Sequence, residues 1–201
     1  MPRRKLIYTD YYPFHITARS LGKNWYGISQ NEVWEIFKKR LSYLAKAYKF
    51  KIHAFVLMNN HYHLLASADP RFDLEHLVQR LQGGVSLEIN GLLGQVFYIF
   101  EEPSKSSLIT TPTYYKRVLK YVYRNPVEAG VCERVEDYKF SSLNRSDIKT
   151  VFPYNIDYRV NYKKLKMLPW LNDENCPDWS RFEVYRDLGS LDCRPLFTRT
   201  Y

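Results

Sequence analysis

The chain has 201 residues, of which 45% are hydrophobic and 25% charged. That is enough for one domain with a buried core plus an appendage, and too apolar for a disordered chain. The formal net charge is +9, with 21 Lys and Arg against 13 Asp and Glu in residues 1–145 and 9 against 8 in residues 146–201. The excess in the first part draws polyanions, of which nucleic acid is the usual one, although a basic protein without such a partner carries the same charge.

No run of about 18 apolar residues occurs, so no membrane-spanning helix is expected. The start, Met1-Pro2-Arg3-Arg4-Lys5 followed by Leu6-Ile7-Tyr8-Thr9-Asp10, is too short and too polar for a signal peptide, and a cytoplasmic location is expected. Cys132, Cys176 and Cys193 form no close pair, which suits reduced thiols serving as small apolar fillers.

In chain order, Tyr12 to Ala18 is predicted as a strand rich in aromatic and β-branched residues. Ser29 and Glu32 form a capping-box pattern, after which Val33, Ile36, Phe37, Leu41, Leu44 and Tyr48 recur at helical spacing. Lys38, Lys39 and Arg40 lie at the edge of that stripe. Two short strands follow, Ile52 to Met58 and His61 to Ser67, joined at Asn59-Asn60, residues that tolerate positive φ in a two-residue turn. Asp73 caps a second helix with Leu74, Leu77, Val78, Leu81, Val85 and Ile89 on its buried side, weakened in the middle by Gly83-Gly84. Val96 to Phe100 reads as a further strand and residues 103–110 as a loop. Thr111-Pro112 opens a third helix that is expected to run to Arg124 and stop at Asn125-Pro126. The order strand, helix, strand, strand, helix, strand predicts an α+β fold. It is a ferredoxin-like (RRM-like) split βαβ sandwich whose antiparallel sheet carries helices on one face, with a tyrosine-bearing helix beyond it. Tyr138 to Leu143 closes a first domain of residues 1–145. Residues 146–201 form an appendage of unclear role, with Pro153, Pro169, Pro177, Pro195, Trp170 and Trp179 scattered through it.

Two patterns carry chemistry. In His61-Tyr62-His63, residues two apart on a strand share a face, so both imidazoles converge and can hold one divalent metal. An isolated His-x-His is more often structural. In Tyr121-Val122-Tyr123-Arg124-Asn125-Pro126, Tyr121 and Asn125 stack four apart on one helix face. A carboxamide oxygen there can complete a metal's shell beside a phenol. Tyr114, Tyr115 and Tyr123 compete with Tyr121, but their i+4 partners are Val118, Leu119 and Val127, which offer no side-chain oxygen. A helical tyrosine packed on the sheet remains the plain alternative.

Taken together, these strings resemble the single-tyrosine transposases of the HUH endonuclease superfamily, and within them the REP-associated tyrosine transposases. The resemblance rests on Tyr12-Pro13-Phe14-His15-Ile16-Thr17-Ala18-Arg19, on Val56-Leu57-Met58-Asn59-Asn60-His61-Tyr62-His63-Leu64-Leu65, and on Asn90 and Gly94. It continues with Tyr121 to Asn125 leading into Pro126-Val127-Glu128-Ala129-Gly130, and with Tyr138-Lys139-Phe140-Ser141-Ser142. It covers about residues 8–145. The chain departs from relatives at Phe97, at Gln82 and in Gly83-Gly84, which leaves DNA contacts by the second helix open.

The resemblance implies a transposase that cuts and rejoins single-stranded or hairpin DNA. His61 and His63 would bind Mg²⁺ or Mn²⁺ with Asn125 as third ligand, and Tyr121 would attack phosphorus to give a 5′-phosphotyrosine. Two imidazoles alone suit softer metals than Mg²⁺, so the metal's identity comes from the family. Arg19, Lys38, Arg80 and Arg117 are candidate phosphate contacts. The chain would act on nucleoid DNA as a monomer with its tyrosine in cis, or as a homodimer with the tyrosine in trans, the choice being made in residues 103–110. Two other readings compete: a catalytically silent single-stranded nucleic-acid-binding protein, and a zinc hydrolase using the two histidines with a distant third ligand.

Overall fold

The computed structural model describes residues 12–101, 104–151 and 164–173. Strands β1 (Phe14–Arg19), β2 (Lys51–Leu57), β3 (His61–Ser67) and β4 (Lys105–Leu108) form one antiparallel sheet in the order β2-β3-β1-β4. This is the order of a split βαβ sandwich. Strand alternation sets the layers. Phe14, Ile16 and Ala18 of β1 and Tyr62, Leu64 and Ala66 of β3 enter a first core with helices α1 (Gln30–Tyr48) and α2 (Leu74–Leu93). Ala54, Val56 and Leu65 enter a second core with helix α3 (Pro112–Glu128), through its Tyr115, Val118, Leu119, Val122 and Tyr123. Thus α1 and α2 share one face as expected, and the tyrosine-bearing helix covers the other.

The helix ends follow their local chemistry. Ser29 and Glu32 make the reciprocal capping box of α1, and Asp73 accepts from the backbone N–H groups of Glu75 and His76 at the start of α2. The Gly83-Gly84 pair does not interrupt α2. A Cβ on Gly84 would lie 2.9 Å from the side chain of Arg40, which reaches across from α1 to pair with Glu88 at 2.6 Å. Gly84 therefore leaves room for the Arg40 side chain where it crosses α2. A Cβ on Gly83 would meet nothing within 4 Å.

Four local expectations need correction. Val96 to Phe100 is not a strand: Val96, Phe97 and Tyr98 are exposed, and only Phe100 bridges, to Ser20. The fourth strand lies instead at Lys105–Leu108, inside the expected loop, because pairing with β1 recruits a stretch with little strand propensity of its own. Helix α3 does not stop at Asn125-Pro126 but runs through Pro126 to Glu128, and the N–H of Ala129 donates to the Asn125 carbonyl at 3.0 Å. Pro126 gives up one helical donor, which a final turn tolerates because regular bonds resume beyond it. The Asn59-Asn60 hairpin closes with Met58 N–H donating to His61 O at 2.8 Å, yet neither asparagine has a positive φ.

His53 is the extra residue of a β-bulge, where the register shifts between Ile52 and Ala54. The bulge lets Ile52 and Phe55 face the first core and Ala54 and Val56 the second. The His53 ring is fully buried, with Nδ1 3.1 Å from the Tyr115 hydroxyl on α3 and Nε2 3.0 Å from Ser67 Oγ. Along the outer edge of β2, Leu57 N–H donates to Phe140 O and Ser142 N–H to Phe55 O, so the Tyr138 to Leu143 segment covers that edge.

Beyond residue 145, Ile148 is buried in the first core and Val151 N–H donates to Ile52 O at 2.8 Å. Helix α4 (Lys164–Asn172) contains Pro169 and Trp170 and buries Leu171 in the second core. It docks on α3, where the buried guanidinium of Arg124 pairs with Glu128 and donates to the carbonyls of Leu171 and Asp173 at 3.2 and 3.4 Å. Pro153, Pro177, Pro195, Trp179, Cys176 and Cys193 lie outside the described residues, and Cys132 is a half-buried free thiol. No described helix is long and apolar enough to cross a membrane.

Two stability predictions follow from these contacts. Gly83→Ala should stabilise the protein by about 0.5–1 kcal/mol, because it lowers unfolded-chain entropy at an open helical position. Gly84→Ala should gain less, since Arg40 must shift; urea midpoints of the two variants decide. The second concerns acid. Burial lowers the His53 imidazole from its ordinary 6.5 to about 3. Below pH 6.5 the unfolded chain takes up a proton that folded His53 refuses, so stability is lost on acidification. This one group should contribute about 2 kcal/mol of loss between pH 7 and pH 5. His53→Gln, which bonds but does not titrate, should show a correspondingly shallower loss in urea titrations at the two pH values.

Candidate metal and tyrosine site

The register that builds the sheet also builds the site. On β3, His61, His63 and Leu65 point toward α3, while Tyr62 and Leu64 enter the first core. On β1, with Phe14, Ile16 and Ala18 in the first core, His15, Thr17 and Arg19 take the α3 face. Antiparallel pairing sets Thr17 opposite His63 and Arg19 opposite His61. His15, paired with Leu65, is thereby the diagonal neighbour of His63. The two rings stack at 5.3 Å between centroids and 12° between planes, with His15 Nε2 3.0 Å from His63 Nδ1.

Helix α3 crosses above these rings. Tyr121 sets its ring edge-on to His63 at 5.3 Å and to His15 at 5.6 Å. One turn further, Asn125 Oδ1 lies 3.3 Å from His61 Nε2. Tyr121, His61, His63 and Asn125, the four residues singled out in the sequence, thus lie as neighbours on one face. The rival tyrosines are occupied elsewhere. Tyr115 is buried against His53, and Tyr123 bonds Ser142 in the core, where burial pushes its phenol up to about 12.

Electrostatics keep the imidazoles neutral. Burial lowers His63 well below its ordinary range, aided by the nearby His15, His61 and Arg19. Burial and then Arg19 lower His61, and burial lowers His15 to about 4. Neutral imidazole is the form that binds metal.

The donor chemistry fits a cation. His63 Nε2 is buried without a hydrogen-bond partner, an arrangement that costs free energy unless something electrophilic reaches the nitrogen. His61 Nδ1 lies 2.8 Å from Asn60 Oδ1, while the Asn60 amide N–H donates to Lys23 O at 2.9 Å. That second bond identifies Oδ1 as the atom facing His61, so Nδ1 carries the proton and donates. The lone pair of His61 Nε2 then faces the lone pairs of Asn125 Oδ1. The His61 and His63 imidazoles and the Asn125 carboxamide are the groups here that could hold a metal ion. Among the described residues no group of three His, Cys, Asp or Glu side chains could hold a metal.

The four basic candidates separate by layer. Arg19 is exposed on the α3 face at the rim, opposite His61. Arg117 is exposed on α3 one turn before Tyr121, on the stripe that continues to Asn125. Lys38 lies on α1, across the sheet, paired with Glu35 and with Asp147 at 3.7 Å. Arg80 lies on α2, donates to His76 at 2.8 Å and covers the Tyr48 ring. Gln82 is buried, donating to the Tyr62 hydroxyl at 3.0 Å, and so presents nothing to a ligand. Sequence reasoning gave His15 and Asn60 no part in the site. The available signal was that His15 belongs to an alternating strand, but only the register shows which histidine it meets.

Residues 12–97 match the family model described as Transposase IS200 like. Among solved structures the chain is similar to a REP-associated tyrosine transposase bound to a REP hairpin, with 17% identity and a TM-score of 0.60 over 71% of this chain and 82% of that one. At that identity the likeness is one of fold, and the fold is the one expected from the sequence. A putative transposase from Deinococcus radiodurans R1 aligns at 17% identity and a TM-score of 0.43, over 60% of this chain and 95% of that one. No curated protein matches the chain. The family match ends before α3, so Tyr121 and Asn125 lie beyond it.

Proposed function

We propose that this chain is a metal-dependent single-stranded DNA endonuclease and strand transferase that works through a 5′-phosphotyrosine on Tyr121. The observation that carries the reading is the convergence of His61 Nε2, the orphaned His63 Nε2 and Asn125 Oδ1 on one face, with the Tyr121 ring edge-on to His63 one turn away along α3. His61, His63 and Asn125 would hold Mg²⁺ or Mn²⁺, which when bound polarises the scissile phosphate and favours the phenolate. Mn²⁺ suits two imidazoles better than Mg²⁺ does.

Tyr121 Oη attacks phosphorus, a P–O bond to tyrosine forms, and the P–O3′ bond breaks. The phenol proton is released, and the departing 3′ oxygen takes up a proton to become a hydroxyl. Attack by that or another 3′-hydroxyl on the phosphotyrosine reverses these changes and rejoins DNA. The bond energy stays in the covalent link, so the cycle needs no nucleotide. Arg19 and Arg117, on the tyrosine side, would hold phosphates, whereas Lys38 and Arg80 would lie too far round the sheet.

Hairpin DNA is the proposed substrate, supported by the REP hairpin carried by the structurally similar transposase. The basic first part of the chain supports a cytoplasmic DNA partner. Tyr121 would serve the histidines of its own chain, as a monomer acting in cis. In this reading residues 1–145 are the nuclease unit, and α4 of the appendage braces α3 through Arg124 and Leu171.

The test is a gel assay for covalent adducts on labelled hairpin DNAs with Mn²⁺ or Mg²⁺. The native chain should form a metal-dependent adduct, and Tyr121→Phe, which keeps the ring, should form none. His63→Ala should lower adduct formation at least 100-fold. Tight hairpin binding with no adduct under any condition would favour the silent binding module. Cleavage that survives Tyr121→Phe would return the site to a metal hydrolase.

A further inference from the structure

We infer that His15 and Asn60 are the positioning residues of the metal site, each accepting the Nδ1 proton of one histidine ligand and thereby turning both Nε2 lone pairs inward. The inference rests on the metal reading above and adds residues to it. Metal-bound histidines characteristically donate their second ring N–H to a fixed acceptor, which sets both tautomer and ring orientation.

Here the two acceptors come from different places in the chain. Asn60, in the β2–β3 hairpin, is locked by its donation to Lys23 O, so its Oδ1 is available only as an acceptor for His61 Nδ1 at 2.8 Å. The Lys23 carbonyl belongs to a 3-10 turn over Leu21–Lys23, where Ser20 N–H and Oγ both donate to Asn60 O at 2.7 and 3.0 Å. Three hydrogen bonds therefore fix Asn60 to the end of β1.

His15 sits within β1 itself. Its Nε2 faces His63 Nδ1 at 3.0 Å in stacked rings, and a hydrogen bond between two neutral imidazoles needs one donor and one acceptor. His63 Nε2 makes no hydrogen bond of its own, so the proton is better placed on Nδ1, which has a partner. With the proton on Nδ1, it donates to His15 and leaves Nε2 as the lone pair a cation requires. His15 must then carry its own proton on Nδ1. In the proposed arrangement all three rings carry the Nδ1–H tautomer, and His15 Nε2 is an acceptor for His63 and not a ligand.

This also accounts for Asn60 in the Met-Asn-Asn-His-x-His string. With φ negative at both asparagines, the second one is not needed for turn geometry. Its carboxamide supplies a donor for Lys23 and an acceptor for His61 at once, which neither serine nor glycine at that place could do over the same reach.

The test has two readouts. Long-range ¹H–¹⁵N correlation spectra of the metal-free protein report the tautomer of each imidazole, assigned by His15→Phe and His61→Ala. Nδ1–H rings at positions 15, 61 and 63 are expected, and an Nε2–H ring at position 61 or 63 overturns the inference. Mn²⁺ affinity, read by the loss of the free-ion EPR signal, should fall about 10–100-fold in His15→Phe and Asn60→Leu, which keep shape but remove the acceptor. His15→Gln restores an acceptor oxygen and should recover most of the affinity, with circular dichroism unchanged throughout. Wild-type affinity in the Phe and Leu variants overturns the inference. A native protein that shows the three Nδ1–H rings yet takes up no Mn²⁺ sinks the metal reading instead, and leaves the assignment of the two hydrogen bonds standing.

Discussion

The antiparallel register between β1 and β3 is the constraint on which the rest depends. Pairing Thr17 with His63 and Arg19 with His61 decides which side chains share a face. A slip of β3 by one residue would turn His61 and His63 into the apolar core and Tyr62 and Leu64 out of it. The first core makes that slip costly, because Phe14, Ile16, Tyr62 and Leu64 are buried there against α1 and α2. Hydrophobic burial on one face thereby fixes polar geometry on the other, and the site needs no separate device to align its strands.

The opposite face is held by a second, smaller core and by three buried polar ties. His53 links β2 to Tyr115 of α3, Ser142 links the closing segment to Tyr123, and Arg124 links α3 to the end of α4. Each tie is made by a residue of α3 or reaches one, so the helix that bears Tyr121 is fixed in rotation as well as in position. Rotation matters because only one stripe of that helix carries both a phenol and a carboxamide four residues apart.

Much of this was legible in the sequence because it depends on short-range periodicity. The capping box at Ser29, the apolar faces of α1 and α2, the β2 and β3 strands and the shared face of His61 and His63 all follow from spacings of two, three or four residues. What the sequence hid depends on pairing partners. The Lys105–Leu108 strand exists through its ladder with β1, and Val96 to Phe100, apolar enough for a strand, has no such ladder. Pro126 looked like a stop because the cost of a lost donor is local, whereas the packing of Val122 and Tyr123 that carries the helix past it is tertiary. The roles of His15 and Asn60 were hidden for the same reason. One is separated from its partner by 48 residues, and the other lies next to its partner but is oriented by a carbonyl 37 residues away.

β4 has a further consequence. It is a four-residue edge strand, joined to the rest of the sheet only through β1, and α3 begins four residues after it ends. The ladder of Leu108 with Phe14 and Ser106 with Ile16 therefore works as a ruler that measures out where the tyrosine helix starts. A shift of that ladder by one two-residue repeat would carry the start of α3 about 7 Å along β1. That displacement exceeds the spacing between the Tyr121 and His63 rings. The reach of the phenol over the histidines is thus calibrated by a short, weakly β-forming segment that a reader of the sequence would take for a linker.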